Sequence, residues 1–420
     1  MQASSGLKIA VVGGGVAGIV AAYLLGRKHQ VTLFEKNDYI GGHTHTVDIP
    51  DGPDAGTPVD TGFIVHNDRT YPNFIKFING LGVERIKCPM SFSYFDRRTR
   101  FQYASLTPFA DRKNLFSLSF WRFLADILRF NRLTVKALSE SSFADMTLGQ
   151  YLNKNGFNKT FMRQYIIPMG AAIWSTPDNQ MMDFPARTFA KFFENHGLLA
   201  VTDQPQWYSI KGGSRRYVQA FLKTFSGKVF SDSPVLKITR EAEKVKIHLG
   251  KGEEIFDAVV IAAHADEALA MLSDPSPEEE KLLSPWRYTQ NRTILHRDPS
   301  YLPPLIRARA SWNYIREDND SEASPMTMTY YMNLLQNLQT HSDYCVTLNP
   351  ASRIIDSAMI AEFTYTHPQY SFDSIRTQQD LDSLNGIRNT YFCGSYFRHG
   401  FHEDAVSSAV NIGNKFGISL

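Results

Sequence analysis

The chain has 420 residues, too many for one simple core, so two interlocked domains are the expectation. Lys and Arg total 44 against 42 Asp and Glu; the resulting net charge of +2 gives no general electrostatic case for nucleic acid. Cys88, Cys345 and Cys393 form no CxxC pair, so neither a disulfide framework nor a zinc site is indicated, and a reducing cytoplasm fits best.

Met1 to Lys8 is short and polar and leaves no room for the apolar core of a signal peptide. No apolar run in the chain is long enough to span a bilayer. Leu7 to Val12 reads as a buried parallel strand, Gly13 to Gly18 as a turn, Val16 to Gly26 as an Ala- and Leu-rich helix, and Val31 to Phe34 as a second strand. This is the βαβ opening of a doubly wound α/β domain. Gly13-Gly14-Gly15-Val16-Ala17-Gly18 satisfies GxGxxG between that strand and that helix. Gly13 permits the tight turn, Gly15 lets the backbone approach a pyrophosphate, and Gly18 lets the helix pack on the sheet. The helix N-terminus offers free N–H groups and a positive dipole end to phosphates. Glu35, twenty residues after Gly15 at the end of the second strand, can accept hydrogen bonds from ribose hydroxyls, which argues against NADP.

From Pro108 to about Phe193 helical patterning dominates, with many aromatics. Leu115 to Phe130 is its most amphiphilic stretch. With Arg122, Arg129 and Arg132 it suits a helix lying in a lipid interface, and a packed helix of a substrate domain also explains the pattern. Pro168 to Pro177, with Met169, Ile173 and Trp174, suits either an apolar cavity wall or plain core. Lys228 to Ile261 returns to short β-like runs, Met326 to Tyr331 reads as β-like, and Thr390 to Cys393 reads as a strand before Gly394. The expected cofactor domain is therefore discontinuous, over 1–70, 205–265 and 388–420. A helical insertion over 71–204 and a mixed one over 266–387 would build the substrate domain.

The run Glu35 to Gly42 resembles the extended dinucleotide motif of the flavin-containing amine oxidase and phytoene desaturase superfamily, in which a second glycine pair follows the ribose-binding Glu. The likeness continues in order through Asp60-Thr61-Gly62-Phe63, Lys211-Gly212-Gly213, Val235, Asp257 to Ala262, Gly394, and His402-Glu403-Asp404-Ala405. His43 stands where the family usually has Arg; a neutral imidazole there can donate one hydrogen bond. Asp404 stands where the family usually has Gly. Within the superfamily the chain looks closest to a bacterial branch that includes desaturases of methyl-branched fatty acyl chains on the way to furan fatty acids. The resemblance implies a Rossmann-type FAD-binding domain of the glutathione-reductase and amine oxidase kind, interrupted by a substrate domain of helices and a mixed sheet. It implies FAD held at Gly13, Gly15, Val16, Ala17, Gly18, Glu35, Lys36, Gly42, His43, Thr44, Thr61, Gly62, Phe63, Val235, Ala262, Gly394, His402, Glu403, Asp404 and Ala405. Cys393 lacks the family's wording for a covalent flavin link, so the FAD is expected to be non-covalent.

Flavin supplies the electron chemistry, so no triad or carboxylate pair is needed. His66, Tyr396 and His399 are the candidate catalytic side chains, each also readable as structural. The expected function is oxidation of an apolar organic substrate, a fatty acyl chain or other lipid, by hydride transfer to flavin N5. The rival readings are a peroxide-producing amine oxidase, a nicotinamide-linked reductase, for which no second GxGxxG unit exists, and a non-catalytic FAD-stabilised scaffold. The expected partners are an apolar substrate and a membrane surface met through 115–130, with no nucleic acid and no metal.

Overall fold

The computed structural model describes residues 6–174, 178–200, 202–317 and 327–420. Strands Lys8–Val12 and Gln30–Phe34 each bury four of their five residues, the unbroken apolar run of strands covered on both faces. They pair in parallel, and Lys228–Phe230, Ala258–Ile261 and Thr390–Phe392 extend the same parallel sheet. Three distant stretches of chain thus share one five-stranded sheet. Helix Val16–Leu25 links its first two strands and packs on the C-terminal helix His402–Lys415.

A second sheet has seven strands. Five come from the later insertion: Met359–Gln369, Arg287–His296, Cys345–Leu348, Thr327–Tyr331 and Trp312–Arg316, in that spatial order. The last of these pairs in parallel with Phe92–Asp96, which pairs in turn with Gln102–Ala104. The first insertion is therefore not simply helical: residues 85–104 supply three strands, Arg85–Cys88 included. All five residues of Phe92–Asp96 are buried, so the alternation that marks a half-buried strand is absent there.

The rest of the first insertion is helical. Pro168 has no N–H to continue the helix, and a π turn over Met162–Ile166 precedes Ile167–Trp174. The amphiphilic stretch is the helix Leu118–Ala137, started by the Ser117 hydroxyl accepting from the Phe120 N–H at 3.3 Å. Residues 112–116 form a separate 3₁₀ turn. Phe120, Phe123 and Phe130 are buried, and Phe123 and Phe130 each meet Phe161 with tilted rings. Trp121 and Leu128 face outward. Among the described residues no helix is long and apolar enough to cross a membrane.

Candidate functional site

Gly13 takes φ +104°, and a Cβ there would lie 2.4 Å from the Ala262 carbonyl oxygen. Gly18 faces the same turn, where a Cβ would fall 1.9 Å from the Gly13 oxygen. Gly15 precedes helix Val16–Leu25 with no side-chain cap, and a Cβ on it would meet nothing within 4 Å. Room is thus left above free helical N–H groups, the arrangement that receives a phosphate. The second glycine pair docks onto the first: the Gly41 N–H donates to the Gly14 carbonyl at 2.9 Å. Glu35 is buried and accepts from the Gly14 N–H at 2.6 Å and the Asn37 N–H at 2.8 Å, one bond per carboxylate oxygen. Each oxygen keeps a lone pair for a ribose hydroxyl.

A cavity of about 1260 Å³ runs from this turn to the start of the C-terminal helix. That exceeds the roughly 300–1,000 Å³ usual for a single ligand, leaving space for a cofactor and a second molecule. Of the expected contacts, Gly13, Gly15, Val16, Ala17, Glu35, Lys36, Gly42, His43, Gly62, Phe63, Val235, Ala262, Gly394, His402 and Ala405 line it. Gly18, Thr44, Thr61, Glu403 and Asp404 do not. Gly18 is a packing residue. The Thr44 hydroxyl bonds the Tyr217 hydroxyl, which meets His402 Nε2 at 3.0 Å, and His402 stacks on Phe63 at 3.6 Å. The Thr61 hydroxyl is taken by Tyr365 at 2.7 Å. Glu403 accepts from the Asn73 and Phe74 N–H groups, tying two helices together. Asp404 caps its own helix by accepting from the Phe401 N–H at 2.9 Å. Free N–H groups at a helix start draw carboxylates: Asp404 answers those of its own helix, and Glu403 those of the neighbouring helix Pro72–Gly80.

His66 is fully buried outside the cavity among Tyr71, Phe74 and Tyr208, and burial beside Arg85 pushes it down to about 3. It is thereby removed from contact with any substrate there. Tyr396 and His399 do line the cavity. The Tyr396 hydroxyl has no hydrogen-bond partner, and burial pulls His399 down to about 4, so it is a neutral imidazole at pH 7. Cys393 is buried in the sheet behind Gly394 and does not reach the cavity.

The charge pattern of the lining is unusual. Seven of the chain's twelve histidines line it, and among the described residues Lys36, paired with Glu267 at 2.6 Å, is the only Lys or Arg to do so. His43 lies 5.3 Å from His367 and 6.5 Å from His264, ring to ring. Burial, and then the neighbouring imidazoles, push His43 down to about 3, and its buried Nε2 has no partner. Among the described residues no three His, Cys, Asp or Glu could hold a metal. The carboxylates of the lining, Glu35, Asp38 and Glu267, all belong to the end beside the glycine turn. The far end is walled by Ile173, Trp174, Phe192, Trp207, Trp312 and Tyr330. Strand Met359–Gln369 adds Phe363, Tyr365 and His367 to the lining.

The residues present fit FAD. The open space over Gly15, the free lone pairs of Glu35 and the orphaned, buried nitrogen of His43 are what a ribose and a diphosphate would satisfy. The sequence profile described as flavin containing amine oxidoreductase matches residues 16–294. AofH of Mycobacterium tuberculosis, which carries the name of a flavin-containing monoamine oxidase, is 26% identical over 299 residues, 66% of this chain. That alignment spans 62% of the relative's length. A 1-hydroxycarotenoid 3,4-desaturase of Flavobacterium is 32% identical over 97 residues, 23% of this chain and 18% of its own. In three dimensions the CLA-producing fatty acid isomerase from P. acnes superposes with a TM-score of 0.71 at 15% identity, covering 99% of both chains. Cyclohexylamine oxidase from Brevibacterium oxydans gives the same TM-score at 14% identity over 98% of this chain and 100% of its own. These two likenesses are of fold. With two thirds of its length inside the profile, the chain belongs to the flavin-containing amine oxidoreductase family, and FAD is its cofactor.

Proposed function

We propose that this protein is an FAD-dependent oxidoreductase acting on an apolar chain, a fatty acyl group or related lipid, by desaturation. The observation that carries the reading is the division of the cavity: among the described residues the lining carboxylates lie at the nucleotide end, and aromatic and aliphatic side chains wall the other. Burying an unpaired ammonium in such a chamber is costly. An acyl chain gains about 0.8 kcal/mol for each methylene it buries there.

Glu35 and the helix N-terminus at Gly15 would hold the ribose and diphosphate, His43 would donate a hydrogen bond to the diphosphate, and Val235 would flank the adenine. FAD supplies a two-electron acceptor for hydride. The chain's own residues bind the substrate, exclude water from it and orient the reacting carbon. His399, a neutral imidazole in the chamber wall, would be the side chain to accept the proton that leaves the neighbouring carbon. The second reading, oxidation of an amine with release of peroxide, is favoured by the family and by the names of relatives. An uncharged aromatic amine would suit the same walls.

Anaerobic mixing of the holoprotein with a panel of fatty acids, phospholipids and amines separates the two. Bleaching of the flavin absorbance is expected with an acyl substrate and not with tyramine or spermine. Bleaching by an amine alone would overturn the acyl reading.

A further inference from the structure

The outward side of the Leu118–Ala137 region, with the segments beside it, carries a group of exposed apolar side chains. Phe116 is 89% exposed, Leu118 87%, Leu106 66%, Ile306 77%, Trp121 49% and Leu115 43%. Local contacts hold them together. The Trp121 indole N–H donates to the Leu115 carbonyl at 3.0 Å, and Trp121 packs on Phe109 with ring centroids 5.1 Å apart. The Thr107 hydroxyl donates to the Arg307 carbonyl at 2.7 Å, tying the segment of Leu106 to that of Ile306. Scattered exposed hydrophobics need no explanation, but a continuous apron of this kind marks a surface that meets something.

The charge around it says what. Residues 97–136 contain nine Lys and Arg against two Asp, in a chain whose total excess is only two. Arg112, Lys113, Arg122 and Arg132 are exposed and make no ion pair among the described residues. Aromatic and aliphatic side chains rimmed by unpaired cations suit a surface that is apolar within and negative at its face. We propose that this apron docks the protein on an anionic lipid bilayer, with Phe116, Leu118 and Trp121 inserted at the acyl boundary and the cations among the headgroups.

The apron is joined to the cavity. The inner side of the same helix packs through Phe123 on Phe161 and Tyr165, and that segment runs directly into Ile167–Trp174, whose Ile173 and Trp174 wall the chamber. The helix that would sit on the bilayer thus braces the wall of the chamber. Docking does not depend on which molecule the chamber oxidises, so it stands or falls separately from the proposed function.

The test is flotation of the FAD-loaded protein with phosphatidylcholine vesicles and with mixed phosphatidylcholine–phosphatidylglycerol vesicles. The expected result is recovery with the anionic vesicles, reduced by salt because screening weakens the charge attraction. Phe116→Ser with Leu118→Ser should lower partitioning about tenfold or more, because binding scales with inserted apolar area. Arg112→Glu with Lys113→Glu should weaken binding and flatten its salt dependence. Flavin content and melting temperature should be unchanged in both. A measurement on the unaltered core guards against misfolded variants: acyl-brominated lipid should quench fluorescence that is lost in Trp121→Phe. The proposal is overturned if the protein stays soluble with both vesicle types, if the paired serine variant floats as well as the parent, or if no quenching is assigned to Trp121. It is also overturned if light scattering shows a dimer that the serine variant turns into a monomer, since the apron would then be an interface between two copies.

Discussion

Glu35 holds the glycine turn and still has acceptor capacity for a ribose, so its removal should be felt by the cofactor first. Glu35→Ala is expected to weaken FAD binding by about 1.5–3 kcal/mol, the worth of a charged hydrogen bond. That is roughly ten- to hundredfold in Kd, measured by fluorescence titration of the flavin-stripped protein. Glu35→Gln, which keeps one acceptor, should fall between, and an unchanged Kd in the alanine variant would place the ribose elsewhere. Thr44 and Thr61 show the opposite lesson. Both lie in the expected cofactor segments, yet their hydroxyls are spent on Tyr217 and Tyr365. A buried hydroxyl takes the nearest partner that packing offers, and neither tyrosine is near its threonine in sequence.

The helix Leu118–Ala137 has two faces with different duties. Phe123 is buried against Tyr103 and Phe161, whereas Trp121 is half exposed. Phe123→Ala should therefore cost about 3–5 kcal/mol of stability, read as a lower urea midpoint, through the cavity it leaves. Trp121→Ala should cost about 1 kcal/mol or less. Equal losses would show a helix packed all round. The amphiphilic pattern was plain in the sequence. Which half of it met protein was not, because an apolar face turned to core and one turned to lipid read alike. Strand Phe92–Asp96 was hidden for a related reason: its neighbours on both sides and both faces erase the alternation that would have announced it.

Across the whole molecule, burial sets the response to pH. His43 and His66 are pushed down to about 3, and His196, His296, His367 and His399 to about 4. The stability they contribute is present above the unfolded value of about 6.5 and is lost as pH falls toward those folded values. Burial pushes Asp60 up to about 6 and Asp404 to about 7, so their contribution is present below the unfolded carboxylate value of 3.8 and is lost as pH rises through 6 and 7. Each group is worth about 1.4 kcal/mol per pH unit within its window, so six imidazoles outweigh two carboxylates. The melting temperature of the flavin-free protein should fall as pH drops below about 6.5. A rise on acidification to pH 5.5, measured by differential scanning fluorimetry, would mean that the imidazoles are solvated.

The βαβ turn and the position of Glu35 were legible in the sequence alone. They rest on contacts made within some thirty residues, where backbone geometry leaves one arrangement: strand, glycine turn, helix, strand. The substrate side of the cavity was decided only in three dimensions. Trp207, Trp312, Phe363, Tyr365 and His367 come from strands in two different sheets, and no local pattern ties them to Trp174 or His399. Trp312 and the residues of Met359–Gln369 are brought together by the seven-stranded sheet and Trp207 by the three-stranded one, long-range pairings that local chain geometry does not encode.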